Sequence, residues 1–240
     1  MLLEVCVDDA LGLDEAVAGG ADRIELCAAL SVGGLTPTPG LMEVAAACGL
    51  PAYPLIRPRP GSFVFAAAEV ATMRADIRAA RSAGLTGVVL GASRPDGRLD
   101  TAVLSDLIAE AAGLDLSLHR AIDLAPDVDE AVETAAALGF RRVLTSGGAR
   151  MAHDGLPRLT RMMRTAQGRL SIMPGSGVSV ETWPLLAPLG VTEVHASCAV
   201  TLAGHPDPFG FVTGTEKRTD RARVRALKAA LFAGRSRAVV

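Results

Sequence analysis

Two short runs near the N-terminus each set a carboxylate two residues before a thiol: Glu4-Val5-Cys6 and Glu25-Leu26-Cys27. In an extended chain, residues two apart point to the same face. A strand through either run therefore presents its Glu and Cys together, backed by an apolar face of Leu3, Val5 and Val7 or of Ile24 and Leu26. Two later runs repeat the pattern with histidine. Asp115, Ser117 and His119 alternate with Leu114, Leu116 and Leu118, while Glu193, His195 and Ser197 alternate with Val194 and Ala196. Thiolates bind soft metals such as Cu(I) or Zn(II). A carboxylate beside an imidazole can move protons near neutral pH. Arg57-Pro58-Arg59 adds two guanidiniums suited to an anion.

Positioning these groups requires many strands, and the sequence repeats the needed unit. An Ala-rich amphipathic run, a Gly, two or three residues and an apolar run recur in "AVAGGADRIELC", "RSAGLTGVVLG", "AALGFRRVLTSGG" and "APLGVTEVHAS". A Gly just past an amphipathic run stops a helix because it takes φ > 0 without strain. The apolar run after it reads as a buried parallel strand. Eight strands follow, near 2–7, 23–27, 52–57, 87–91, 114–119, 142–145, 170–173 and 193–196. Helices are predicted over 9–18, 39–48, 67–83, 100–112, 126–138, 156–167, 180–189 and 221–233. Eight strand–helix units without a linker predict a single (β/α)₈ TIM-barrel domain over 1–240, in preference to an open doubly wound sheet.

Closure of the barrel sends the apolar strand faces to the helices and the polar faces inward. Cys6, Cys27, Arg57, His119, Arg120, Ser146 and His195 then lie at or near the carboxyl ends of strands, where barrels carry function. Asp123 follows strand 5. Two Gly-rich turns, "TSGG" with Ser146 and Gly147 and "MPGSGVSVE" with Gly175, Ser176 and Gly177, follow strands 6 and 7. The second leads toward a predicted helix, an arrangement that can hold phosphate.

Composition narrows the partners. The net charge is −2 and aromatic residues are 3% of the chain, which argues against a nucleic-acid surface. No apolar run approaches the roughly 18 residues of a membrane span. The N-terminus enters a strand pattern without a basic leader, so no secretory signal is expected, and four scattered cysteines read as free thiols in the cytoplasm. The expected partner is a small molecule, an ion or a second copy. The loop "GHPDPFGFVTG" could cover the mouth or form a dimer contact.

The inward residues admit more than one chemistry. Cys6 and Cys27 sit in equal phase on neighbouring strands, about 4.8 Å apart, as two ligands of a soft metal or as inert buried thiols. Glu4, Glu25, His119 and His195 form a ligand or catalytic set, or a buried ion network with Arg23, Arg57 and Arg120.

The segments "MLLEVCVDD", "GGADRIELC", "GGLTPTPG", "IRPRPGSF", "LHRAID", "RRVLTSGG", "IMPGSGV" and "EVHAS", in this order, resemble the CutC copper homeostasis family. The resemblance runs from Leu2 to His195. It implies a TIM barrel, a cytoplasmic place in copper handling, and Cu(I) binding through Cys6 and Cys27. Glu25, Arg57, His119, Arg120, Asp123 and His195 also stand at family motif positions. The chain departs from the family pattern Arg-Pro-Arg-Gly-Gly-Asp-Phe, with Pro60 and Ser62 in "RPRPGSF", and from Glu-Gly-Gly, with Val32 before Gly33-Gly34. Each departure removes a loop carboxylate. The alternative to copper handling is a lyase- or isomerase-type barrel enzyme acting on a small anionic metabolite, phosphorylated compounds included. In that reading Glu25 or His119 is the base, His195 and Asp123 assist, Arg57 and Arg120 orient the anion, and Ser146, Gly147 and Gly175–Gly177 hold phosphate.

Overall fold

The computed structural model describes residues 1–202 and 216–233, together with Phe209. Eight parallel strands alternate with helices: β1 (Leu2–Val7), α1 (Ala10–Gly19), β2 (Arg23–Leu26), α2 (Pro39–Ala46), β3 (Ala52–Pro54), α3 (Ala67–Ser82), β4 (Gly87–Leu90), α4 (Thr101–Glu110), β5 (Asp115–Leu118), α5 (Val128–Ala137), β6 (Arg142–Thr145), α6 (Leu156–Ala166), β7 (Ser171–Pro174), α7 (Trp183–Leu186) and β8 (Glu193–Ala196). An antiparallel hairpin of β9 (Ala199–Leu202) and β10 (Glu216–Thr219) then leads to α8 (Arg221–Ala233). Among the described residues no helix is long and apolar enough to cross a membrane.

The strands pair in two parallel arcs, β3-β2-β1-β8 and β4-β5-β6-β7. A parallel bridge of Leu55 with Val89 joins the arcs on one side, and the Ile56 N–H donates to the Val89 carbonyl at 2.8 Å. On the other side, Ser171 and Thr192 hydroxyls meet at 3.3 Å at the N-terminal ends of β7 and β8. The result is the expected TIM-barrel-like α/β fold.

The expected alternation sets which face goes where. Leu3, Val5, Ile24, Leu26, Leu118 and Val194 lie fully buried in the layer between strands and helices. Burial of each such side chain contributes about 2 kcal/mol. Helix starts follow short polar caps: Asp9 accepts from Gly12 N, Asp100 from Val103 N and Asp127 from Asp129 N. Asp100 and Pro126, placed inside helices by the sequence pattern, therefore stand before them.

Two expectations are corrected, and one strand pair is new. Strand 3, expected over 52–57, is a regular ladder only through Pro54, which has no N–H to donate. Beyond it the chain divides its bonds, with Leu55 N to Leu26 O and Ile56 N to Val89 O. The helix expected over 180–189 is one α-turn, Trp183–Leu186, followed by a 3-10 turn, Ala187–Leu189. Pro188 removes a helical donor, and Ser179 and Thr182 tie the preceding loop to itself, with Ser179 N to Thr182 Oγ1 at 2.9 Å and Thr182 Oγ1 to Gly177 O at 2.7 Å. The β9–β10 hairpin was not anticipated. The expected mouth-covering or dimer role of the loop over 204–214 lies outside the described residues, apart from Phe209.

Two glycines on the inward face of β4 and its end make room for rings. A Cβ on Gly87 would stand 2.9 Å from the Tyr53 ring and 2.7 Å from the Asp115 carbonyl. One on Gly91 would stand 2.5 Å from His119 Cε1. Gly91→Ala is accordingly expected to displace His119 and to destabilise the fold by about 1–3 kcal/mol in urea unfolding. Wild-type stability in that variant would contradict the packing described here.

Candidate metal centre

Strands β8, β1 and β2 are neighbours, and their register decides which inward groups meet. Glu4 lies opposite His195 on one side and Arg23 on the other, and Cys6 lies opposite Glu25. Glu4, Cys6, Glu25 and His195 therefore collect in one patch of the interior, each less than a tenth exposed.

Glu4 anchors the patch. Its carboxylate pairs with the Arg23 guanidinium, which also reaches Glu193 at 2.5 Å and Met173 Sδ at 3.2 Å. Arg142 approaches Glu193 at 3.4 Å and Asp115 at 3.0 Å. The single tyrosine, Tyr53, lies between the two guanidiniums, at 5.5 Å from Arg23 and 5.1 Å from Arg142, and donates to Asp115 at 2.6 Å. Burial works to raise the Glu4 pKa, but Arg23 and then His195 overcome it and hold the carboxyl down to about 2. Glu4 is thus an anion deep in the barrel.

His195 Nδ1 stands 2.8 Å from Glu4 Oε1, and Nε2 stands 3.7 Å from Glu25 Oε2. Burial acts to lower the His195 pKa, yet the acidic groups around it, Cys6, Glu25 and Glu4, carry it well above its ordinary value. Glu25 is pushed up, chiefly by burial, with neighbouring Glu4 adding to the effect against the pull of His195. On loss of its second proton, a His195 that still gives Nδ1–H to Glu4 presents its Nε2 lone pair on the Glu25 side. This carboxylate–histidine pairing is the usual support of a metal-binding imidazole.

Cys6, Glu25 and His195 each offer a donor atom, and these atoms all lie within 4.8 Å of one another. Two donors on one ion stand at most about 4.6 Å apart, twice a metal–sulfur bond. A small contraction would close this set on an ion. The sequence pattern paired Cys6 with Cys27. Cys27 is one pleat further along, its N–H bonded to Val7 O at 2.8 Å, and its Sγ stands 3.7 Å from Glu25 Oε2 beside Tyr53, Leu55 and Val89. Burial, then Glu25 and Cys6, push the Cys27 thiol well above its ordinary pKa.

The other expected site residues divide into two groups. Arg57 and His119 lie buried at the ends of β3 and β5, both against Phe63. Burial and Arg57 hold the His119 pKa down to about 3, so His119 is neutral. Asp123, Arg120 and Ser146 bind each other. Asp123 accepts from Thr145 Oγ1 at 2.6 Å, Gly148 N at 3.0 Å and Arg120 Nε at 2.8 Å, and Arg120 also holds Ser146 Oγ at 2.7 Å. Gly147 donates to Thr145 Oγ1 at 2.9 Å. These groups form a clamp on the loop after β6. At the loop of Gly175, Ser176 and Gly177, Ser176 Oγ donates to Arg150 O at 2.7 Å, and α7 starts only at Trp183. No helix therefore begins directly after this loop to strengthen an anion site.

Arg142 and Tyr53 were missed by sequence reasoning. Both lie in inward phase on their strands, and phase alone could have flagged them.

The acid side of stability tests these assignments. A neutral buried His119, with pKa about 3 folded against 6.5 free, contributes stability that is full above pH 6.5 and is lost as pH falls toward 3. Glu4, about 2 folded against 4.5 free, contributes fully above pH 4.5 and loses it toward pH 2. His195, raised, contributes fully below pH 6.5 and adds no slope in that range. Glu25, raised, adds an opposing slope above pH 4.5 that is common to both proteins, so wild type should lose about 1.4 kcal/mol per pH unit relative to His119→Gln below about pH 6. Parallel curves in denaturant titrations would refute the neutral histidine.

Comparison with known proteins gives a consistent picture. A family model described as the CutC family matches residues 1–200. A Sinorhizobium medicae protein named as a family protein CutC is 54% identical over 237 residues, covering 97% of each chain. A Caulobacter vibrioides protein of the same name is 48% identical, covering 93% of this chain and 94% of its own. Among solved structures, a Streptococcus agalactiae protein described as a candidate copper homeostasis protein CutC superposes with a TM-score of 0.78 at 30% identity, covering 82% of this chain and 98% of that one. A thiamine phosphate pyrophosphorylase from Pyrococcus furiosus superposes with a TM-score of 0.62 at 13% identity, covering 97% of this chain and 96% of that one, a likeness of fold alone.

Proposed function

The chain belongs to the CutC family, and on that premise we propose that it takes part in cellular copper handling by binding Cu(I) inside its barrel. The observation that carries this reading is the grouping of Cys6, Glu25 and His195 donors within 4.8 Å. A thiolate and an imidazole are soft enough for Cu(I), and the Streptococcus agalactiae relative is described by copper homeostasis. Cys6 and His195 are the principal ligands and Glu25 the third. Cys27, 3.7 Å from Glu25, is a further thiol beside the ion. Glu4, held as an anion by Arg23, fixes the His195 tautomer and draws positive charge inward.

Metal uptake here means proton release, because the Cys27 thiol, Glu25 and His195 are all raised toward their protonated forms. Binding is therefore expected to tighten as pH rises. The four cysteines are unpaired, and we assign the protein to the reducing cytoplasm, where thiols stay available to Cu(I). The phosphate-handling enzyme reading draws less support, because the Asp123, Arg120 and Ser146 side chains satisfy one another and the Ser176 hydroxyl is spent on a backbone carbonyl.

Competition with a chromogenic Cu(I) chelator tests the proposal. Wild type should withdraw one equivalent of Cu(I). Cys6→Ser or His195→Ala should weaken uptake by about 100-fold, and Glu4→Gln by about 10-fold through loss of histidine support. Uptake by folded Cys6→Ser equal to wild type would overturn the assignment. A site that prefers Zn(II) under the same competition would overturn the metal while leaving the ligands standing.

A further inference from the structure

The copper reading uses Cys6, Glu25 and His195 and leaves two buried donors at the barrel mouth unused. His119 is 4% exposed and Arg57 is 6% exposed. His119 accepts the Ala121 N–H at Nδ1, 3.1 Å away, so its proton resides on Nε2. Among the described residues that N–H meets no acceptor. Arg57 gives Nη1 to the carbonyls of Val32 and Gly34, at 3.2 and 2.8 Å, and Nη2 to that of Gly61 at 3.0 Å. Its Nε–H also meets no acceptor among the described residues. The charged groups felt by Arg57 are Arg59 and Cys27, and neither is a carboxylate.

One aromatic ring is common to both donors. Phe63 stacks on His119 at 4.6 Å and lies 5.2 Å beneath the Arg57 guanidinium. Both residues follow carboxyl ends of strands, β5 and β3, where barrels of this kind carry ligands. Gly33 lets the loop come close, since a Cβ there would stand 3.3 Å from Arg57 Nη1.

Buried donors without acceptors are costly, and a buried guanidinium without a counter-charge more so. Both costs are removed by one anion. Its class follows from the donor count. Backbone carbonyls take three of the four Nη–H groups of the fork, leaving the Nε–H and one Nη2–H from arginine and one N–H from histidine. The two arginine N–H groups match the two oxygens of a carboxylate, and the histidine N–H adds a further bond to one of them. We propose that the mouth of the barrel binds a small carboxylate, with its two oxygens on Arg57 Nε–H and Nη2–H and His119 Nε2–H on one of them. This site is separate from the copper ligands and does not rest on them.

Metal-free protein provides the test, with sodium formate and sodium acetate as probes and sodium chloride and phosphate at matched ionic strength as controls. The carboxylates are expected to raise Tm by about 4 °C at roughly ten times the dissociation constant. They should also shift the His119 Nε2 resonance in nitrogen-15 NMR saturably. Arg57→Gln should abolish both responses. Should that variant fail to fold, the His119 resonance of the wild type decides alone. Cys6→Ser should respond as wild type does, and loss of its response would refute a separate site. No saturable shift with either carboxylate would overturn the proposal. An equal response to chloride or phosphate would reduce the site to an adventitious ion only and would overturn it as well.

Discussion

The ion pair of Glu4 with Arg23 is the interaction on which the interior depends. Both groups are almost wholly buried, and either charge alone would be costly there. Together, with Glu193 on the second arm of Arg23, they make a charged layer in place of the Val, Ile and Leu layers usual in such barrels. Removing one partner would leave an uncompensated charge, at a cost of about 3–5 kcal/mol. Tyr53, held between Arg23 and Arg142, seals this layer with a ring and ties it to Asp115.

The layer sets the character of the site above it. An anionic Glu4 gives His195 one orientation, with its Nδ1 on the Glu4 carboxylate. His195 then turns its other nitrogen toward Glu25 and the thiol of Cys6. The pKa shifts express the same arrangement: Glu4 goes down because it faces cations, Glu25 goes up chiefly because it is buried, and His195 goes up because the acidic groups around it outweigh its burial. A strand register offset by one residue would turn these side chains toward the helices.

The mouth is built on a different principle. Arg57 and His119 are held by backbone groups and by Phe63 rather than by carboxylates. The loop after β6 is held by Asp123, which binds two backbone N–H groups, a hydroxyl and Arg120. Rigid loops over a charged interior leave the few unsatisfied polar atoms in defined places.

Much of this was legible in the chain before folding was considered. Period-two alternation in "LLEVCV", "DRIELC", "LDLSLH" and "TEVHAS" named the inward residues, because a strand has only two faces. The repeated helix–Gly–strand unit gave eight elements and hence closure. Alternation carries no information about register between strands, so it could not say that Cys6 would meet Glu25 and His195. Nor could it separate Asp123, whose oxygens are spent on a loop, from His119, whose Nε2–H is left without an acceptor. Local pattern also failed where side chains or prolines compete with the backbone, at Pro54, at Ser179–Thr182 and at Pro188. The sequence by itself determined the barrel and which groups face its interior, because both follow from local periodicity. Only the tertiary structure decided which of those groups touch, because contact across strands depends on register and closure.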